Sequence, residues 1–238
     1  MSLQDIRVTI CACASRSFID KDKAAGIAAA MKKEGYEVAV EADLCRKVML
    51  QSPDMRQIAA GIILACYPRA IRSLLDRLGL AAGRIVDIRS GEGEDVLAGF
   101  GISCSDGEGV NDLLKNGFLE EIERFPVENG TDAWYPALDK ERCRECGKCH
   151  DFCLFGVYAV ENKQVKVVRP QNCKNNCPAC ARMCPGRAII FPKYEKSPIN
   201  GGTADEETFD PEEMNKMYSE RLRMRLQQRR MTVPLTKR

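Results

Sequence analysis

Eight of the thirteen cysteines in this 238-residue chain form two closely spaced runs in its second half. The first run, CRECGKCHDFC, extends from Cys143 to Cys153 with the spacing C-x2-C-x2-C-x3-C. The second run, CKNNCPACARMCPG, extends from Cys173 to Cys184 with the spacing C-x3-C-x2-C-x3-C and a proline after the last cysteine. Such runs of thiolates are typical ligands of iron–sulfur clusters. The chemistry predicted for this part of the chain is therefore one-electron redox chemistry.

The fourth cysteine of each run is predicted to bind the cluster of the other run. The first three cysteines lie on a tight loop, while the fourth begins a helix that points away from them. One [4Fe-4S] cluster is then predicted on Cys143, Cys146, Cys149 and Cys184, and a second on Cys173, Cys177, Cys180 and Cys153. Pairs of C-x2-C also bind zinc, but zinc sites rarely use two interleaved runs of four cysteines. We expect His150, the single histidine, to be a solvated neighbour and not a ligand.

Apolar segments follow both runs, FGVYAV after Cys153 and GRAIIF after Cys184, with KQVKVV between them as hairpin material. Residues 138–194 therefore resemble a bacterial-type two-cluster ferredoxin module, which implies an α+β fold and electron transfer. Leu154 stands where proline often follows the fourth cysteine of that family. The second run also has one extra residue, Asn175 or Asn176, which we expect to change hydrogen bonding to the sulfurs more than cluster content.

Four of the remaining cysteines follow predicted strands in the first half of the chain. The run IRVTI precedes Cys11 and Cys13, YEVAVEA precedes Cys45, and IILAC ends at Cys66. Because the carboxyl ends of parallel strands meet at one edge of a sheet, these thiols are expected to converge there and hold a third [4Fe-4S] cluster. The alternative is that Cys66 is an ordinary buried cysteine and the others are incidental. Cys104 has no obvious partner and is treated as a non-ligand.

The pattern CACASRSFIDKDKAAGIAAAMKKEGYEVAVEADLC, followed by IILACYPR, resembles the N-terminal domain of heterodisulfide reductase A-type subunits over residues 6–90. In that family a flavin-binding domain with a G-x-G-x-x-G fingerprint follows. Here GEGEDV has Val96 in place of the third glycine, so we predict no flavin and no nucleotide. Arg69 in CYPR can place a cation near the third cluster or can simply be a surface arginine at the start of a helix.

The elements that must position these cysteines are predicted from alternating apolar and helical segments. Between residues 6 and 88, short apolar runs alternate with helices that begin near Asp20 or Asp22, at Ser52 and at Pro68. This alternation predicts a small parallel sheet with flanking helices. Residues 89–110 are glycine-rich and predicted to be mostly loop. The predicted divisions are an α/β domain (1–125), a linker (126–137), the ferredoxin domain (138–194), a second linker (195–210) and a basic helical tail (211–238).

Composition excludes several classes of protein. The net charge of +2 gives no argument for a nucleic-acid partner, and no run approaches the ~20 apolar residues that cross a bilayer. Thirteen cysteines cannot form a disulfide framework in the reducing cytoplasm, where we predict the protein to reside, so the clustered cysteines are expected to bind metal or to do redox chemistry.

The preferred hypothesis is an electron-transfer protein, or a non-catalytic subunit of an oxidoreductase complex, that serves anaerobic metabolism. It would pass single electrons between a low-potential donor and a larger redox enzyme, with the basic tail docking on a protein partner. One alternative is a reductase whose N-terminal cluster reduces substrate. Another is an iron–sulfur sensor whose tail binds a partner or nucleic acid.

Overall fold

A computed structural model describes residues 6–89, 91–102, 108–126 and 133–202, together with positions 216, 219 and 223. The first half contains a four-stranded sheet in the order β2-β1-β3-β4, with every neighbouring pair parallel. Its strands are β1 (Arg7–Cys11), β2 (Glu37–Glu41), β3 (Ile62–Ala65) and β4 (Arg84–Asp87). Its helices are α1 (Lys21–Lys33), α2 (Leu44–Met49), α3 (Met55–Ala60), α4 (Pro68–Arg77), α5 (Gly93–Ala98) and α6 (Glu108–Glu123). The α/β class predicted for this half is confirmed.

The two central strands are buried on both faces. Val8, Thr9 and Ile10 of β1 are fully buried, as are Ile63 and Leu64 of β3. Parallel strands covered by helices on both sides have this continuous burial. Because β1 lies between β2 and β3, the chain changes direction across the sheet at the β1–β3 boundary, and this boundary is its topological switch point.

Capping residues explain where the helices begin, including two places where the structure differs from the prediction. Asp20 caps α1 by accepting from the Lys23 backbone N–H at 2.8 Å, as expected. The third helix begins at Met55 and not at Pro53, and Ser52 donates to Asp54 at 2.6 Å instead of capping it. Within the predicted loop 89–110, α5 forms because Asp95 accepts from the Glu92 backbone N–H at its start.

The second half consists of two small antiparallel sheets and two short helices. The segments β6 (Tyr158–Glu161) and β7 (Gln164–Val167) form the expected hairpin, while β5 (Ala137–Leu138) pairs with β8 (Ile189–Ile190). Each cysteine run contains one short helix, α7 (Lys148–Phe152) or α8 (Ala179–Arg182). The prediction that the fourth cysteine of each run begins a helix is wrong, because Cys153 is the C-cap of α7 and Cys184 follows the C-cap of α8. A 3-10 turn, Pro170–Asn172, precedes the second run.

The two halves share packing and hydrogen bonds. Tyr135 and Ala137 pack in the core of the α/β half, although the sequence assigns them to a linker. The Tyr135 hydroxyl donates to the Cys45 carbonyl oxygen at 2.7 Å. Arg69 at the start of α4 donates to the Asp139 carboxylate at 2.7 Å and to the Pro198 carbonyl oxygen at 3.3 Å, and it also reaches the Arg187 carbonyl oxygen.

Two features named from the sequence lie outside the described residues. These are Cys104 and nearly all of the predicted helix in 211–238. Within the part of the chain that is described, no helix has the length and apolar character that crossing a membrane requires.

We predict that Arg69→Met lowers the free energy of unfolding by about 3 kcal/mol, because it leaves the Asp139 carboxylate buried without its main partner. Arg72 lies on the same helix but is exposed, so Arg72→Met should change stability by less than about 0.5 kcal/mol. Urea unfolding followed by far-UV circular dichroism under anaerobic conditions measures both. Equal midpoints for the two variants would show that the contact does not hold the halves together.

Candidate iron–sulfur sites

One cavity in the second half is lined by the four cysteines of the first predicted set. Cys143, Cys146 and Cys149 reach it from the first run, and Cys184 reaches it from the end of the second. The loop that carries Pro185 and Gly186 passes very close to the first run, since a Cβ on Gly186 would lie 2.4 Å from the Arg142 carbonyl oxygen. Glycine is therefore required here for Cys184 to approach Cys143.

A second cavity is lined by the other predicted set. Cys173, Cys177 and Cys180 reach it from the second run, and Cys153 reaches it from the end of α7. The Tyr158 hydroxyl on β6 is buried and donates to Cys180 Sγ at 3.1 Å. This hydrogen bond is one that sequence reasoning missed, because Tyr158 lies in an ordinary strand pattern.

Thiols of the same set raise the pKa values of one another. Burial raises the pKa of Cys149 to about 12, and charges on Cys184 and Cys143 contribute to the rise. Burial also raises the pKa of Cys173 to about 12, with contributions from Cys177 and Cys153. In each case the interacting partners include the fourth cysteine of the opposite run.

The four cysteines of the third predicted set lie at the carboxyl edge of the sheet. Cys11 ends β1, Cys13 follows two residues later, and Cys45 lies in the first turn of α2 after β2. Cys66 follows β3, so it lies with Cys13 beside the topological switch point. Cys66 is partly buried, while the other three thiols are buried.

These four thiols are close enough to affect one another. The pKa of Cys66 is raised to about 12, mainly by burial and also by a charge on Cys13. Burial and then Asp43 raise the pKa of Cys45 well above its usual value, and Cys66 and Cys11 contribute as well. The Leu44 backbone N–H donates to Cys11 Sγ at 3.5 Å, which links the loops after β1 and β2.

A buried lysine from the second half enters this N-terminal site. Lys193 is 2% exposed, and its ammonium group lies 3.7 Å from Cys13 Sγ. It also donates to Ser15 Oγ and to the Asp43 carboxylate. Burial alone would lower the pKa of Lys193, but charges on Cys45, Cys13 and Asp43 outweigh burial and raise it. No signal in the sequence distinguished Lys193 from other lysines.

A second cation, Arg89, follows β4 at the same edge of the sheet. Its guanidinium stacks on the rings of Phe18 and Tyr67, 4.8 Å from each centroid. Its positive charge acts to lower the pKa of Cys66, against the larger effect of burial. Among the described residues, its Nη1 is a buried donor without a hydrogen-bond partner. Four thiols beside an unpaired cationic donor fit an anionic iron–sulfur cluster.

Two other residues singled out from the sequence have different surroundings. Arg69 is neither a free surface arginine nor a direct contact of the thiols, since its donors go to Asp139 and to carbonyl oxygens of the second half. His150 is exposed, and its Nδ1 lies 3.0 Å from the Asp151 carboxylate.

The extra residue of the second run contacts the first half of the protein. Asn176 Oδ1 accepts from the Arg16 guanidinium at 2.6 Å, and Asn175 Oδ1 accepts from the Asn176 backbone N–H at 3.0 Å. The Arg16 guanidinium also lies 5.3 Å from the centroid of the Trp134 ring. The insertion thus joins the loop after β1 to the loop between Cys173 and Cys177.

In the described ranges, no group of three or more His, Cys, Asp or Glu side chains is arranged to hold a single metal ion. A cubane cluster makes a different demand, since each of its four thiolates binds a different iron atom.

Comparison with known proteins gives two ferredoxins. The chain is 44% identical over 88 residues to an uncharacterized ferredoxin of Methanocaldococcus jannaschii, an alignment that covers 37% of this chain and 57% of that protein. It is 31% identical over 78 residues to Ferredoxin-3 of a Nostoc species, which covers 24% of this chain and 79% of that protein. The chain therefore spans little more than half the length of the first of these relatives. No family model matches the chain.

We predict that Tyr158→Phe lowers the reduction potential of one redox centre by about 60 mV, because a hydrogen bond to sulfur stabilises the more negative reduced state. Electron paramagnetic resonance during a redox titration measures the potential, and the iron content establishes that both proteins carry equal cofactor. Tyr36→Phe, at a buried tyrosine of the α/β half, is the control and should leave every potential unchanged. Identical titration curves for Tyr158→Phe and the parent protein would exclude this role for the hydroxyl.

Proposed function

Since the chain belongs to the ferredoxin family, we propose that it is an electron-transfer protein with three [4Fe-4S] clusters, two in its second half and one at the edge of its parallel sheet. The clusters supply the chemistry, because each takes up and releases one electron at a time. The polypeptide supplies the ligands, a low-polarity surrounding and hydrogen bonds that adjust the potentials.

The observation that carries this proposal is the pair of cavities in the second half. Each is lined by three cysteines of one run and the fourth cysteine of the other. The crossed arrangement is the one expected for two-cluster ferredoxins, in which the fourth ligand of each run serves the other cluster. The cluster type and the number of clusters are part of the proposal.

The third cluster is supported by the grouping of four thiols at the sheet edge. Cys11, Cys13, Cys45 and Cys66 are contributed by three different loops, and their charges interact. Open α/β sheets commonly bind their ligands at this edge and at the switch point. The buried cation of Lys193 and the unpaired donor of Arg89 favour a negatively charged occupant.

Burial favours electron transfer over direct reduction of a substrate at the N-terminal site. Cys11, Cys13 and Cys45 are all buried, and Lys193 covers Cys13 from the second half. A substrate-reducing cluster would need a ligand position open to the substrate, whereas an electron can reach a buried cluster through packed protein. We therefore propose that this site exchanges electrons with the other two and with a larger redox complex in the cytoplasm.

We predict that the anaerobically purified protein contains about twelve iron atoms and about twelve sulfides per chain, as three clusters of four irons require. The double variant Cys11→Ala, Cys13→Ala should contain about eight of each, because it lacks two ligands of the third cluster. Cys104→Ala is the matched control and should keep about twelve. About eight irons in both the parent and the double variant would leave only the two ferredoxin-type clusters.

A further inference from the structure

We propose that Lys193 is a positioning residue of the N-terminal cluster and that it raises the reduction potential of this cluster. Because Lys193 belongs to the second half, the cluster then depends on the packing of the second half against the α/β half. The proposal rests on the third cluster proposed above. The residue lies three positions after β8, whereas the three described residues that its ammonium group contacts lie in the α/β half.

The contacts of Lys193 join two of the loops that carry predicted ligands. Ser15 and Cys13 belong to the loop after β1, and Asp43 is the N-cap of α2 after β2. The Ser15 hydroxyl donates to Asp43 at 2.7 Å, so the lysine completes a compact polar network. Removing the ammonium group would leave both loops without their common partner.

Packing alone does not explain a buried ion pair at this place. Taking a lysine and a carboxylate out of water is costly, and apolar side chains of similar volume often stabilise a core better. Lys193 is 2% exposed, and Asp43 is 8% exposed. A bound cluster that gains negative charge on reduction would give the Lys193–Asp43 ion pair a function, because its ammonium group lies beside Cys13.

The redox step adds one electron from a neighbouring centre to the N-terminal cluster. No bond is made or broken, and the cluster with its thiolates becomes one unit more negative. A fixed buried cation favours this more negative state, and the surrounding low dielectric leaves its effect largely unscreened by salt. The N-terminal cluster would therefore hold an added electron more strongly than it would without Lys193.

The test compares Lys193→Met with Asp43→Asn in the full chain. The first substitution removes a positive charge and should lower the potential of the N-terminal cluster, while the second removes a negative charge and should raise it. Asparagine caps a helix as well as aspartate does, so α2 should keep its start. Each one-electron equilibrium constant should change at least about tenfold, which is about 59 mV.

The control is an exposed pair in the same half of the protein. Lys166 lies 2.8 Å from Glu161, and both side chains are about half exposed. Lys166→Met should leave all potentials unchanged because solvent screens the charge. Lys193→Arg keeps the charge and should keep most of the parent potential. The signal of the N-terminal cluster is identified as the one missing from Cys11→Ala, Cys13→Ala.

Opposite shifts in Lys193→Met and Asp43→Asn support the proposal, whereas unchanged potentials or shifts of the same sign overturn it. If Lys193→Met loses about four irons while Lys193→Arg keeps them, the cation is required for assembly, and the sign of the shift in Asp43→Asn then decides its effect on potential. A parent protein with only about eight irons would instead refute the third cluster itself, before any substitution at Lys193.

Discussion

The contact of Lys193 with Asp43, Ser15 and Cys13 is the interaction on which the organisation of this protein depends. It places a buried positive charge from one half among the buried thiols of the other. Two further contacts reinforce it, the partly buried Arg69–Asp139 ion pair and the buried hydrogen bond from Tyr135 to the Cys45 carbonyl oxygen. The halves are therefore joined by charged and polar groups that are costly to leave unpaired, which favours a single fixed arrangement.

Parallel strand order explains why so many polar and reactive groups meet at one place. The strands β1, β2, β3 and β4 all end at the same edge of the sheet, and each strand end has a thiol or a charged side chain near it. These groups are Cys11 at the end of β1 with Cys13 after it, Asp43 and Cys45 after β2, Cys66 after β3 and Arg89 after β4. The helices then cover the faces of the sheet, so the edge is the one region where such side chains can meet.

Local patterns predicted most of the elements, and the exceptions have identifiable physical causes. Asp20 and Pro68 mark helix starts correctly because capping and the fixed φ of proline act within a few residues. Ser52 fails as a cap because its hydroxyl donates to Asp54, which also pairs with Lys47 of α2. The helix α5 is not predicted, because the glycines of its segment indicate a loop although Glu92 and Asp95 form a capping box.

The sequence by itself determined the number and spacing of the cysteines and the strand ends at which four of the other thiols emerge, and it predicted the crossed assignment of the two ferredoxin-like runs. Those features depend on residues a few positions apart, where spacing dictates geometry. Only the tertiary structure decided which charges surround the thiols. Lys193 and Cys13 are 180 positions apart, Lys193 and Asp43 are 150 apart, and Arg16 and Asn176 are 160 apart. Such pairs have no local signature, because their contact exists only once the two halves have packed together.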